Sequence, residues 1–179
     1  MKLKLDLHTH CHEATFLRPL TVEIVGRIVA SLKAQGLDGI AITDHEDPQY
    51  GFKVKEIADQ YFPGVLIIPG QEISVRYEHV VELYLPEDRC LRFWAHPRFV
   101  DGLVEEFIEK EVPHLQGIEV KNGGVYVDME RVTALGLRHN LLLLENSDAH
   151  SLRDIGCLHN EVEMEELYRR SFPRNHGAP

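Results

Sequence analysis

No apolar run in the 179-residue sequence approaches the ~20 residues that cross a bilayer. The N-terminus, MKLKLDLHTH, alternates instead of forming the continuous apolar core of a secretory leader. Cysteine is scarce. Cys11, Cys90 and Cys157 are odd in number, widely spaced and without a CxxC pair, so a disulfide framework is excluded and a reducing, cytoplasmic setting is expected. Positive charge is also short. With 19 Lys and Arg against 29 Asp and Glu the formal net charge is −10, which removes the broad positive field that nucleic-acid and anionic-membrane binders need. No stable nucleic-acid complex and no membrane association are expected. Gly/Ser linkers, low-complexity tracts and long-period repeats are absent, so residues 1–172 read as one domain, with a tail over 173–179 expected to fray. Histidine is what remains in excess, with eleven copies.

Strand-like and helix-like segments take turns along the chain. Leu3, Leu5 and Leu7 alternate with Lys4 and Asp6, a short strand ending near His8. Thr21 is placed to cap a helix through Leu32 that stops before Gly36. Strands are expected at Gly39–Thr43, Val65–Ile68, Val80–Leu85, Leu91–Ala95, Gly117–Val120 and Leu141–Leu144. Helices are expected at Val54–Tyr61, Gly102–Val112, Asp128–Leu135 and Glu163–Arg170. This alternation predicts an α/β domain with mostly parallel strands.

The metal-ligand residue types fall at the ends of these strands. His8 and His10 follow the first, Asp44 and His45 the second, and Glu72 the third; His96 closes the Trp94-Ala95 strand, and Asp148 and His150 follow Leu144. In His8-Thr9-His10, side chains at i and i+2 of an extended segment point the same way, so both imidazoles can reach one cation. Imidazole with carboxylate suits Zn, Mn or Fe rather than Ca. Parallel α/β barrels build active sites on the rim at the strands' carboxyl ends, and six segments converge there only if the sheet closes or nearly closes.

Taken in order, Asp6-Leu7-His8-Thr9-His10, Ala41-Ile42-Thr43-Asp44-His45, Pro69-Gly70-Gln71-Glu72-Ile73, Ala95-His96-Pro97 and Ser147-Asp148-Ala149-His150 resemble the motifs of the PHP (polymerase and histidinol phosphatase) family. The stretch Ser151–Gly156 is similar too, and the resemblance covers residues 1 to about 157. It implies a distorted seven-stranded (β/α) barrel, here in a compact version. It also implies two or three divalent transition metals at the rim and hydrolysis of a small phosphate monoester or nucleotide-type phosphoester. Carried over residue by residue, His8, His10 and Asp148 would hold one metal. Glu72 would bridge it to a second held by His79 and His96, while His45 and His150 would hold a third. Thr15 stands where the family usually completes that third set, so Glu13 or His12 would substitute, Glu13 being favoured.

The resemblance implies a hydroxide between the two metals bridged by Glu72 as nucleophile, its pKa lowered towards ~7, with Asp148 as a proton acceptor. Arg98 and Arg153, close behind ligand motifs, are the phosphate-binding candidates, with Lys121 third. Amidohydrolase-type barrels also open with HxH, but they usually carry a bridging Lys where Glu72 stands here. A non-catalytic metal-binding PHP module is the other alternative, although such modules tend to lose ligands that this chain retains. Asp6 and Asp44 are expected to accept the second N–H of a ligating imidazole. Glu119 and Asn122 either line the site or pair locally. Cys11 is a soft ligand or, more simply, a small residue in a turn. His114, His139, His159 and His176 lie outside the motifs and are expected in solvent.

Overall fold

A computed structural model describes residues 1–99 and 104–174. In chain order the elements are β1 (Leu3–Asp6), α1 (Cys11–Ala14), α2 (Val22–Ala34), β2 (Gly39–Ile42), α3 (Pro48–Tyr61), β3 (Leu66–Val75), β4 (Glu78–Leu85) and β5 (Arg89–Ala95). They continue with α4 (Val104–Lys110), a 3-10 turn (Val112–His114), β6 (Gly117–Asn122), α5 (Met129–Arg138), β7 (Leu142–Asn146), β8 (Asn160–Val162), α6 (Met164–Arg170) and β9 (Phe172–Pro173).

Local chemistry sets the helix starts. Thr21 accepts the Ile24 N–H and Asp128 accepts the Arg131 N–H, each satisfying an orphan donor of the first turn. Asp47 does the same for α3, with Pro48 in the first position. That cap starts α3 at Pro48 rather than at the expected Val54. Gly102 and Leu103 of the expected helix at 102–112 lie outside the described residues, and α4 begins at Val104.

The strands form one sheet in the order β7-β6-β5-β4-β3-β2-β1-β8, with β9 paired to β5. This is a mixed, nearly closed barrel of eight strands rather than seven, and half of its pairings are not parallel. β1–β2, β2–β3, β5–β6 and β6–β7 are parallel, whereas β3–β4, β4–β5, β1–β8 and β5–β9 are antiparallel. The cause is two tight turns that leave no room for a crossover helix. Arg76 and Tyr77 (φ 46° and 69°) join β3 to β4, and Glu87 and Asp88 (φ 57° and 54°) lie between β4 and β5. The β3–β4 hairpin carries β3 on to Val75, so Glu72 sits within that strand and not past its end. Pro173 pairs with Arg89 and the Arg174 N–H reaches the Asp88 carbonyl, while the rest of the tail expected to fray, 175–179, lies outside the described residues.

The seam between β7 and β8 is bridged by a side chain. The Asn160 amide accepts the Glu145 N–H at 2.9 Å and donates to the Glu145 carbonyl at 2.9 Å and Asn146 Oδ1 at 2.8 Å. At the rim the circle is completed by a parallel bridge between Thr9 and Ala149, where the His10 N–H meets the Ala149 carbonyl at 3.0 Å.

The barrel interior is apolar below that rim, with Leu5, Leu7, Val81, Leu83, Leu91 and Phe93 buried together, and α6 closes its far end with Leu167. Outside, α2 and α3 pack Val25, Ile28, Leu32 and Val54 against β2. On the other side α4 and α5 pack Phe107 and Val132 against Trp94 and Ile118. At roughly 1.5–3 kcal/mol per large apolar side chain buried, these layers make the barrel a rigid mount for polar groups at one end. No helix among the described residues is long and apolar enough to cross a membrane.

Candidate metal centre

The rim gathers six histidines, Glu72 from β3, Asp148 from the segment after β7 and Glu13 from α1. Glu72 is the hub. Its Oε1 lies 2.8 Å from His79 Nδ1 and 2.9 Å from His96 Nε2. Its Oε2 lies 3.2 Å from His45 Nδ1, 3.3 Å from His10 Nε2 and 3.5 Å from His8 Nε2. Asp148 Oδ1 is 3.0 Å from His10 Nε2 and 3.5 Å from His8 Nε2. The β1 extension places His8 and His10 on one side, as the i, i+2 spacing predicts, with their Nε2 atoms 3.1 Å apart.

Four overlapping sets have donor atoms close enough to share a cation: His8/His10/Glu72, His8/His96/Asp148, Glu72/His79/His96 and His10/Glu13/His45/His150. Glu13 reaches His150 Nε2 at 3.6 Å and His45 Nε2 at 4.0 Å. His12 turns away and stacks on Tyr50, with centroids 4.5 Å apart. Thr15, in place of a ligand, is buried and donates to the Cys11 and His12 carbonyls. Cys11 is buried against Thr9, outside every donor set.

These donors fit a cation better than they fit one another. Glu72 Oε2, Asp148 Oδ1 and His10 Nδ1 are buried without a hydrogen-bond partner, although imidazole nitrogens lie 3.0–3.5 Å from both carboxylate oxygens. A shared cation would account for the two carboxylate oxygens, which face the same imidazole nitrogens, His8 Nε2 and His10 Nε2. Unsatisfied buried polar atoms are costly, and imidazole with carboxylate is the donor chemistry of Zn, Mn and Fe. Two backbones are also strained here: His96 (φ 31°) and Asp148 (φ 52°) occupy the left-handed region, at a cost on the order of 1–3 kcal/mol each.

Charge is strongly coupled in this cluster. Burial alone would push the Glu72 carboxyl up, but contacts with His10, His79, His8 and His96 hold it far below the ordinary carboxylate range. Burial opposes ionisation of Asp148 too, yet His10 and His8 bring it down to about 2. His8 would be lowered by burial, and Glu119 followed by Glu72 holds it well above its usual value. Two ionised carboxylates thus draw positive charge into a buried site.

The ring-orienting partners differ from expectation. Asp6 accepts the Ser147 N–H and hydroxyl and the Gly156 N–H, so it anchors the loop carrying Asp148 rather than an imidazole. Asp44 accepts the His12 N–H at 2.8 Å and thereby sets the α1 turn. Burial pushes both carboxyls up to about 6. The acidic residue on an imidazole is Glu119, fully buried, 2.9 Å from His8 Nδ1. Its remaining capacity takes the Asn146 amide at 2.7 Å, the His96 backbone N–H at 2.8 Å and the Asn122 amide at 3.0 Å. The signal for Glu119 was its charge inside an apolar strand that faces the barrel.

The cationic candidates are all exposed. Arg153 is 88% exposed and pairs with Asp154, Lys121 pairs with Glu145, and Arg98 is exposed just beyond His96-Pro97. His176 lies outside the described residues.

No family model matches the sequence. An uncharacterized protein of Methanocaldococcus jannaschii is 29% identical over 92 residues, 48% of this chain and 53% of that protein. The chain therefore spans about half the length of the curated relative it matches. Solved structures share the fold. One is a Bifidobacterium adolescentis protein provisionally assigned as a metal-dependent phosphoesterase, with TM-score 0.69 and 15% identity over 93% of this chain and 96% of that one. A two-domain Bacteroides vulgatus protein, said on sequence grounds to contain a PHP-like metal-dependent phosphoesterase, aligns with TM-score 0.62 and 18% identity over 97% of this chain and 65% of its own. An amidohydrolase of Chromobacterium violaceum, solved with sulfate and no metal, aligns with TM-score 0.65 and 17% identity over 96% and 98%. The barrel is a PHP-like fold, and its rim carries buried His, Glu and Asp clusters suited to metal binding.

Proposed function

We propose that the chain is a metal-dependent phosphoesterase acting on a small phosphate monoester or nucleotide-type phosphoester. One observation carries this reading: five imidazoles surround the single buried carboxylate of Glu72 at 2.8–3.5 Å, which suits a bridging ligand. His8, His10 and Asp148 would hold one divalent ion, Glu72, His79 and His96 a second, and Glu13, His45 and His150 a third. Such ions, when bound, lower the pKa of water towards ~7 and neutralise charge on phosphoryl oxygens.

The side chains prepare that chemistry. His8 Nδ1–H donates to Glu119, and His150 Nδ1–H donates to the Asp148 carbonyl at 2.9 Å, so in each ring Nε2 is the nitrogen left to give its lone pair to a cation, which displaces any proton there. Asp148, held ionised, would accept a proton from the attacking water at Oδ2, the oxygen not turned towards His8 and His10. The water oxygen bonds to phosphorus as the bond to the alcohol oxygen breaks, and the departing alkoxide takes up the proton. Arg98 and Arg153, exposed behind His96 and His150, steady the remaining phosphoryl oxygens once substrate draws them in.

Elemental analysis of protein purified without chelators, followed by phosphate release from a panel of esters with added Mn, tests the proposal. Bound transition metal and turnover abolished by Glu72→Gln in a folded protein are expected. A metal-free preparation with no uptake of Zn, Mn or Fe, or near-normal turnover of Glu72→Gln, would overturn it.

A further inference from the structure

Towards the far end of the barrel the sheet forks. The β3–β4 ladder stops at the pair Gly70–Leu83. Pro69, next in line on β3, has no N–H to carry it further. Beyond that point Leu66–Pro69 pairs with Gly39–Ile42 of β2, while Tyr84 and Leu85 pair with Cys90 and Arg89 of β5. A cavity of about 460 Å³ lies between the two diverging edges, with Met164 of α6 also on its wall. Its volume falls in the usual range of small-molecule sites, roughly 300–1,000 Å³. None of its lining residues belongs to a metal-donor set.

The walls and their charges narrow the occupant. Leu66, Ile68, Leu85 and Met164 make the interior apolar. Phe52 of α3 stacks on Tyr84 of β4, with centroids 5.7 Å apart and planes 8° from parallel, and so ties the helix to the fork. A proline on each edge, Pro69 and Pro86, makes the gap a poor template for an added strand, so it suits a small molecule better than an extended peptide. The charged residues on the wall are Lys55, Arg89 and Arg174 against Asp88, three cations to one acid in a chain whose net charge is −10. Lys55 meets Asp59 at 2.7 Å, and Arg89 is turned to the Ser171 carbonyl and hydroxyl. The Arg174 guanidinium lies over the Tyr84 ring, 4.2 Å from its centroid, which sets a positive charge directly beside the apolar wall.

We propose that this cavity binds a small amphipathic acid, its apolar body between Leu66 and Leu85 and its single carboxylate on Arg174. The site is separate from the metal centre, and the assignment goes beyond the phosphoesterase reading without depending on it. Calorimetric titration of the full chain with octanoate, butanoate, octan-1-ol and octylammonium tests it. Octanoate is expected to bind on the order of 100-fold tighter than butanoate, since four more methylenes leave water. It should bind about ten-fold tighter than octan-1-ol or octylammonium, the contribution of a charge-assisted contact with Arg174. Arg174→Gln, which keeps the backbone N–H that holds Asp88, should remove the preference over octan-1-ol and leave the octan-1-ol Kd unchanged. Folded Glu72→Gln should bind octanoate as the parent does. Any one of four results overturns the assignment: no octanoate binding, equal binding of octanoate and butanoate, a preference over octan-1-ol that survives Arg174→Gln, or octanoate binding lost in folded Glu72→Gln.

Discussion

Glu119→Gln isolates the support of the metal centre from its ligands. The carboxylate is fully buried and accepts four donors: His8 Nδ1 and the Asn146 amide at Oε1, the His96 N–H and the Asn122 amide at Oε2. A glutamine keeps one acceptor oxygen. Whichever way it turns, its NH₂ faces two donors, so two of the four bonds become donor–donor contacts. If the NH₂ faces His8, the ring must switch tautomer, which puts its proton on Nε2 and withdraws that lone pair from the cluster. If it faces His96, the strained backbone at φ 31° loses its anchor. Bonds to a charged acceptor contribute about 1.5–3 kcal/mol each, so losing two costs about 3–6 kcal/mol. That is a large share of an ordinary domain's stability. Metal affinity should fall about 10–100-fold, the usual effect of removing a ligand-orienting partner. Urea denaturation of the metal-free protein and competitive metal titration read the two effects separately. A variant within about 0.5 kcal/mol of the parent, with metal affinity changed less than two-fold, would refute the idea that Glu119 holds the site in register.

Three further outcomes test other parts of the structure. Asn160→Ala removes the side-chain bridge across the β7–β8 seam and should cost about 2–3 kcal/mol, with amide exchange rising first at Glu145; unchanged exchange there would argue against a side-chain closure. Trp94→Phe keeps the apolar packing but leaves the buried Glu78 carboxylate only the 3.5 Å bond from the Arg98 N–H in place of the indole N–H at 3.0 Å; chemical denaturation should show a loss of about 1–3 kcal/mol. Burial pushes the Cys90 thiol up to about 12 and the Cys11 thiol higher still, whereas Cys157 is exposed and only modestly raised. At pH 8 the native protein should therefore yield one thiol readily to Ellman's reagent and three in urea, and rapid reaction of all three without denaturant would contradict the packing around β1 and β5.

How much of this the amino-acid order disclosed depends on the range of the interaction. The α2 helix was legible to its cap because Thr21 and the Val25/Ile28/Leu32 spacing act within a few residues of one another. The donors were legible because HxH and Asp-x-His place two side chains on one side of an extended segment, whatever the rest of the sheet does. The β3–β4–β5 meander was not. A tight turn with two positive φ values normally announces itself with Asn or Gly, and here it is built from Arg76 and Tyr77, with Arg76 held by Glu106 and Glu111 from α4 and its following turn. That anchor is some 30 residues away in sequence, so no local pattern could reveal it. The same reasoning explains the exchange of roles between Asp6 and Glu119. Adjacency to His8 made Asp6 the natural orienting partner, but its strand directs it towards Ser147 and Gly156 of the loop that closes the barrel. Glu119 reaches His8 only because β6 and β1 face each other across the barrel interior, a relation set by closure and not by sequence distance. Ligand identity is thus written locally, whereas the groups that orient the ligands are chosen by the circle of strands, and substitutions at Asp6 and Glu119 should report on different things: loop anchoring in the first case, imidazole geometry in the second.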